Sequence, residues 1–169
     1  MVCVSPPTSV TPHREPIGQD SREHISIYTV NSEPLFFQHF DGPLYPTLRL
    51  LHKCESRFLR PSSPDCPRQT LADPFLLPKV GVDRGAIRFL LAGAHMMCPG
   101  LTSAGGYLPP AESEIPANSL VAVHAEGKEH AVAVGITKLG SEEMRKVNKG
   151  VGVEIATHLG DDLWAIQTI

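Results

Sequence analysis

Two groups of residues in this chain have types and spacings that could do chemistry. One is a cysteine close to a histidine; the other is a set of glycines interleaved with basic side chains. Cys98 lies three residues after His95. A nucleophilic thiolate needs a base within hydrogen-bond reach and a third group that orients the base. No Asn or Asp partner can be named for this pair, and Pro99 follows at once, so Cys98 is read as a buried structural thiol. Cys3, Cys54 and Cys66 form no Cys-x-x-Cys pair, and the eight histidines make no i, i+4 pair on a predicted helix. A metal site needs such spacings, so neither a metal nor another cofactor is expected.

The glycines suggest binding instead. Gly93, Gly100, Gly105 and Gly106 surround Met97-Cys98-Pro99-Gly100-Leu101. Glycine lets backbone approach a ligand closely and offers N–H groups to it. That suits a single-stranded RNA end, which is recognised by shape, backbone and base edges. The same glycines would also serve a tight turn with no ligand at all. Arg88, Lys128, Lys146 and Lys149 could contact phosphates, or could simply form a solvated face. The net charge of −3 offers phosphates no general attraction, and from Val82 onward seven Lys and Arg stand against ten Asp and Glu. Any RNA contact must therefore rest on a local patch.

The elements that would carry these residues are mostly strands. His24–Val30 alternates, and Leu35–Phe40 can return beside it as a hairpin across Asn31-Ser32-Glu33. Thr47 can cap a short helix over Leu48–Lys53. Glu55–Pro74 holds four prolines and no helix or strand period, so it reads as a flexible loop. Ala86–Ala92 is expected to be a strand between Gly85 and Gly93. Met96–Tyr107 reads as irregular chain, and Leu120–His124 and Ala131–Val134 as strands joined at Gly127. Ser141 is expected to cap a helix with acids in its first turn, bases near its end and Gly150 just beyond. Val151–Ile155 and Leu163–Gln167 read as strands around a Gly160-Asp161-Asp162 turn. Trp164 is expected in the core of the last strand, near Leu139 and Met144. Five or six short strands with one or two helices suggest a small closed or half-closed sheet.

Several of these strings together resemble the malignant T-cell-amplified-sequence family. They are Gly93–Ser103, Ala125–Lys128, Lys146–Gly150 and Leu159–Trp164, preceded by Tyr28–Asn31, Leu35–Phe37 and Gly42–Lys53. The resemblance covers Glu23–Lys53 and Phe75–Ile169. It implies an α+β, mostly β fold: a C-terminal PUA-type pseudo-barrel preceded by a truncated α/β N-terminal domain. The organisation it implies is a disordered leader at 1–21, a partial N-terminal domain at 22–54, a flexible insertion at 55–74, a connection at 75–81 and a PUA domain at 82–169. The family's longer N-terminal domain is replaced here by the Pro-rich leader, and Glu55–Pro74 has no counterpart in it.

The resemblance also implies a function. Such proteins pair with the density-regulated protein and act on the small ribosomal subunit in translation re-initiation, tRNA release and recycling. The tRNA acceptor end would fall to the PUA domain, at Arg88, Gly93, Met97, Cys98, Pro99, Gly100, Leu101, Lys128, Lys146 and Lys149. Partner and ribosome contacts would fall to Tyr45, Arg49, His52 and Lys53. The N-terminus has neither a basic start nor an apolar stretch of signal length, and a cytoplasmic protein that does not enter membranes is expected. A truncated fragment that is non-functional or binds only protein is the alternative. An RNA-modifying enzyme would need a separate catalytic domain, which the 81 residues before the module cannot supply, so no enzyme is expected; an accessory subunit of such an enzyme is a further alternative.

Overall fold

The computed structural model describes residues 12–13, 25–39, 42–59 and 76–166. The N-terminal part is a four-stranded antiparallel sheet in the order β1-β2-β3-β4, backed by one helix: β1 Pro12–His13, β2 Ile25–Val30, β3 Glu33–His39, β4 Leu44–Pro46 and α1 Leu48–Leu59. The β2–β3 hairpin turns on Asn31 and Ser32, both at positive φ. This is the two-residue geometry whose twist matches flanking strands. Phe37 is buried and its ring stacks on Tyr45, with centroids 4.9 Å apart.

Two expectations for this part are corrected. Pro12–His13, in the leader read as disordered, pairs with Tyr28 and Ile27 and covers the open edge of β2. The remaining leader lies outside the described residues. The helix begins as expected, with the Thr47 hydroxyl accepting from Leu50 N–H at 3.3 Å. It then runs past Lys53 to Leu59, into the segment read as a loop. The physical reason is that Pro61 is the first residue able to break it. Residues 60–75 lie outside the description.

The C-terminal part is a five-stranded half-barrel in the order β5-β7-β8-β9-β6: β5 Lys79–Val82, β6 Met96–Met97, β7 Leu120–Ala125, β8 Ala131–Thr137 and β9 Val151–His158. β5 runs parallel to β7, and the other pairings are antiparallel. β7 is apolar almost throughout because both its faces are covered. Val121, Val123 and Ala125 enter the C-terminal core with Leu90, Leu101, Met144 and Val153. Ala122 points the other way, to a second core in which Phe37, Tyr45, Leu48 and Leu51 meet Ala131 and Val134. The N-terminal part is thus packed on the back of the half-barrel.

Short helices replace two expected strands. Ala86–Ala92 is a 3-10 turn, Arg84–Ala86, followed by helix α2, Ile87–Leu90. Asp83 Oδ1 accepts from Ala86 N–H at 2.8 Å and starts the turn. Ala86, Ile87 and Leu90 face the core at helical spacing, and Phe89 and Leu91 are left exposed. Leu163–Gln167 is likewise not a strand. Asp161 caps helix α5, Asp162–Ala165, by accepting from Trp164 N–H at 2.7 Å, and Gln167 is outside the description. Trp164 joins the second core, away from Leu139 and Met144, which belong to the first.

The Cys98 segment, expected to be irregular, folds as helix α3, Cys98–Thr102, after β6. Helix α4, Ser141–Val147, starts on Gly140 instead of Ser141, whose buried hydroxyl accepts from Ile115 N–H at 3.1 Å. Asn148, not Gly150, provides its left-handed C-cap. β9 continues three residues beyond Ile155.

Candidate nucleic-acid interface

The residues singled out for RNA lie on α2, the turn after it, β6, α3, the β7–β8 turn, α4 and the segment after α4, and hydrogen bonds join the α3 group to the end of α4. Cys98 N–H donates to the Gly150 carbonyl at 2.9 Å, and the Thr102 hydroxyl donates to Asn148 Oδ1 at 2.6 Å. These bonds hold α3 against the end of α4 and bring Lys149 beside the Cys98 turn. Met97 and Pro99 are exposed there, Gly100 is half-buried, and Cys98 and Leu101 are buried underneath. Cys98 and Leu101 therefore act as anchors for the exposed residues beside them. Burial pushes the Cys98 thiol up, away from the thiolate that nucleophilic chemistry needs.

The glycines divide by role. Gly93 takes a left-handed conformation (φ 80°) on the exposed surface before β6. Gly105 and Gly106 are used for packing. A β-carbon on Gly105 would reach 2.5 Å from a Glu126 carboxylate oxygen, and one on Gly106 would overlap the Leu101 carbonyl.

The cations divide too. Lys146 is exposed but paired with Glu142 one turn back at 2.9 Å, which raises its own pKa and lowers that of Glu142. Arg88 is exposed and lies over the Phe89 ring, 4.6 Å from its centroid. Lys128 is exposed on the β7–β8 turn. The glycine before it, Gly127, faces the guanidinium of Arg84, another exposed cation that sequence reasoning did not select. Asp83 joins this turn region to α3 through the Ser103 hydroxyl, 3.3 Å from its carboxylate. The Asp83-Arg84 start of a helical turn was the missed signal: it aims Arg84 outward, where a strand reading gives no such direction.

The N-terminal candidates are mostly engaged inside the fold. Tyr45 is buried, and desolvation with the nearby Glu154 charge raises its pKa. Arg49 donates to the Trp164 carbonyl at 2.5 Å and sits over its ring, 4.6 Å from the centroid. His52 Nε2 is 2.7 Å from the Ala131 carbonyl. Lys53, the exposed member of the set, pairs with Glu33 at 2.5 Å. Among the described residues no three His, Cys, Asp or Glu side chains converge as a metal site requires. No described helix is long and apolar enough to cross a membrane.

A half-barrel of this topology with a short helix beside each of its edge strands defines a PUA-domain protein. A PUA domain model matches residues 78–159, and a pre-PUA-like domain model matches residues 8–54. The fold is similar to that of a hypothetical protein of Pyrococcus horikoshii OT3 (TM-score 0.61, 22% identity, 86% of this chain and 80% of that one). It is also similar to a PUA-domain protein of Aeropyrum pernix K1 (TM-score 0.59, 24% identity, 90% and 78%). Sequence carries the likeness further. The chain is 45% identical over 160 residues to malignant T-cell-amplified sequence 1 of Danio rerio, spanning 94% of this chain and 76% of that protein. It is 45% identical over 142 residues to translation machinery-associated protein 20 of Schizosaccharomyces pombe, spanning 84% and 66%. The chain belongs to the malignant T-cell-amplified-sequence family.

Proposed function

We propose that this chain is a translation-associated RNA-binding protein whose α2–β6–α3 face takes the single-stranded acceptor end of a tRNA. The observation that carries this reading is the grouping of exposed Met97 and Pro99, half-buried Gly100, and Lys149 around the Cys98–Gly150 bond, together with exposed Arg84, Arg88 and Lys128. Single-stranded ends suit such a face, because bases stack on exposed apolar and aromatic groups while cations follow the phosphates. Phe89, more than half exposed under the Arg88 guanidinium, is a ready stacking platform.

The family relationship and a relative named for the translation machinery support the broader role. In that role the protein acts with a density-regulated-protein homologue on the small ribosomal subunit, in re-initiation, tRNA release and recycling, in the cytoplasm. Arg49, His52 and Tyr45 serve the domain junction in this reading, which leaves Lys53 as the N-terminal candidate for a partner.

The test is a titration of tRNA at fixed salt, with and without its single-stranded 3′ end. Lys128→Glu combined with Lys149→Glu is expected to weaken binding of the complete tRNA at least tenfold, with the melting temperature unchanged. Unchanged affinity, or equal affinity for the trimmed tRNA, refutes the assignment. Co-sedimentation with small subunits tests the broader role.

A further inference from the structure

Outside the RNA face, the densest cluster of titratable groups lies where α1 meets β7 and β8. Glu55 stands at its centre, one residue beyond the end of the pre-PUA match. One carboxylate oxygen is 3.0 Å from His130 Nδ1 and 3.3 Å from Ala131 N–H, which donates to it. The other is 3.3 Å from His124 Nε2, a buried nitrogen that no aligned hydrogen bond satisfies. The same helix also reaches Ala131 from the other side, through His52 and the Ala131 carbonyl. Both backbone groups of the first residue of β8 are therefore held by α1.

The charged neighbours are few among the described residues. On α1, Arg49 turns to Trp164 of α5 and Lys53 pairs with Glu33 of β3. His52 faces His130, with ring centroids 5.0 Å apart. His124 comes from β7 and His130 from the residue before β8. One carboxylate thus confronts two imidazoles, with the His52 ring behind that of His130. Burial alone would raise the Glu55 pKa, but the imidazoles of His124 and His130 and the Ala131 N–H together bring it down to about 2. The carboxylate stays charged while its partners change state.

We propose that Glu55 is a latch between the two domains, carried on the helical extension that follows the pre-PUA match and tightened when its histidine partners take up protons. His130 and the Ala131 N–H hold one oxygen of the carboxylate, and His124 lies against the other. A proton taken up by either imidazole sets a cation against this fixed charge and gives the otherwise unsatisfied His124 nitrogen a charge partner.

Amide hydrogen exchange of Ala131 in the full chain reads the latch directly, with Val121 and Val134 as core references. In Glu55→Gln, Ala131 is expected to exchange roughly tenfold faster or more, as loss of a hydrogen bond to a charged group implies, while the references stay unchanged. In the native chain, Ala131 protection corrected for intrinsic exchange is expected to rise between about pH 7.5 and 5.5, where histidines charge. In Glu55→Gln it is expected to stay flat. Equal Ala131 exchange in the two proteins, a pH response that survives the substitution, or joint loss of protection at Val121 and Val134 would each overturn the proposal. The native pH response needs no variant and stands as a test even if Glu55→Gln fails to fold.

Discussion

Arg49 separates two accounts of the N-terminal domain, and removing it tells them apart. In the structure its guanidinium donates to the Trp164 carbonyl and covers the Trp164 ring, and its Nε is buried without a partner. Arg49→Ala removes a charged hydrogen bond worth about 1.5–3 kcal/mol and a cation–π contact worth about 1 kcal/mol. It also relieves the unpaired Nε, which returns roughly 1–3 kcal/mol. The net expected loss is about 1 kcal/mol, or roughly 2–4 °C in melting temperature for a chain of this size. Trp164 is the single tryptophan of the chain, so its fluorescence reports this junction alone. The emission of the variant is expected to shift to the red as the ring loses its cover. A variant that melts and emits as the native protein does, yet fails to co-sediment with small ribosomal subunits, would refute the structural assignment and return Arg49 to a partner-binding surface.

Two further substitutions follow from the geometry. Gly106→Ala forces a methyl group onto the Leu101 carbonyl, a backbone atom that cannot swing aside; a loss of about 2 kcal/mol or more is expected in chemical denaturation, and an unchanged midpoint would contradict it. Glu55 has a pKa depressed in the fold, so the stability it contributes is complete above its ordinary carboxylate range and drains away as pH falls toward about 2. Unfolding free energies at pH 6 and pH 3 are expected to differ less in Glu55→Gln than in the native chain, by about 2 kcal/mol, and parallel pH profiles would contradict this.

The family, the mostly-β class, a hairpin across Asn31-Ser32-Glu33 and strands at Leu120–His124 and Ala131–Val134 were all legible, because each is written in local pattern or in ordered strings. What was not legible depended on burial. Ala86–Ala92 is a short apolar run, and such a run fits a buried strand as well as a helical turn. The decision came from Asp83, whose carboxylate starts the turn, and from the core's demand for Ile87 and Leu90 on one side. Trp164 was correctly read as packed, but against the wrong partners. Its neighbours Arg49 and His52 are more than a hundred residues earlier, a separation no local pattern spans. The same cause hid the packing of the N-terminal candidates: Arg49 and His52 on α1 look solvent-bound until the half-barrel is placed against them. The position of Lys149 beside Cys98 rests on one backbone bond from Cys98 to Gly150, which neither the residue pattern nor the resemblance specified.

The acidic balance of the chain bears on the RNA reading through the distribution of its ion pairs. Lys53, Lys138 and Lys146 are paired with Glu33, Glu154 and Glu142, and Arg145 donates to the Leu108 and Pro109 carbonyls. Arg84, Arg88, Lys128 and Lys149 make no ion pair among the described residues, and all four are exposed. If these four meet phosphates of a single-stranded end, the logarithm of affinity should fall with the logarithm of salt at a slope of about −3, so that a fourfold rise in salt weakens binding roughly fiftyfold. Lys128→Glu with Lys149→Glu should at least halve that slope, whereas reversing the already paired Lys146 should change it little. A slope near zero, or one that Lys146→Glu alters as strongly as the double variant does, would show that the net charge governs this protein's encounter with RNA and that the local patch does not.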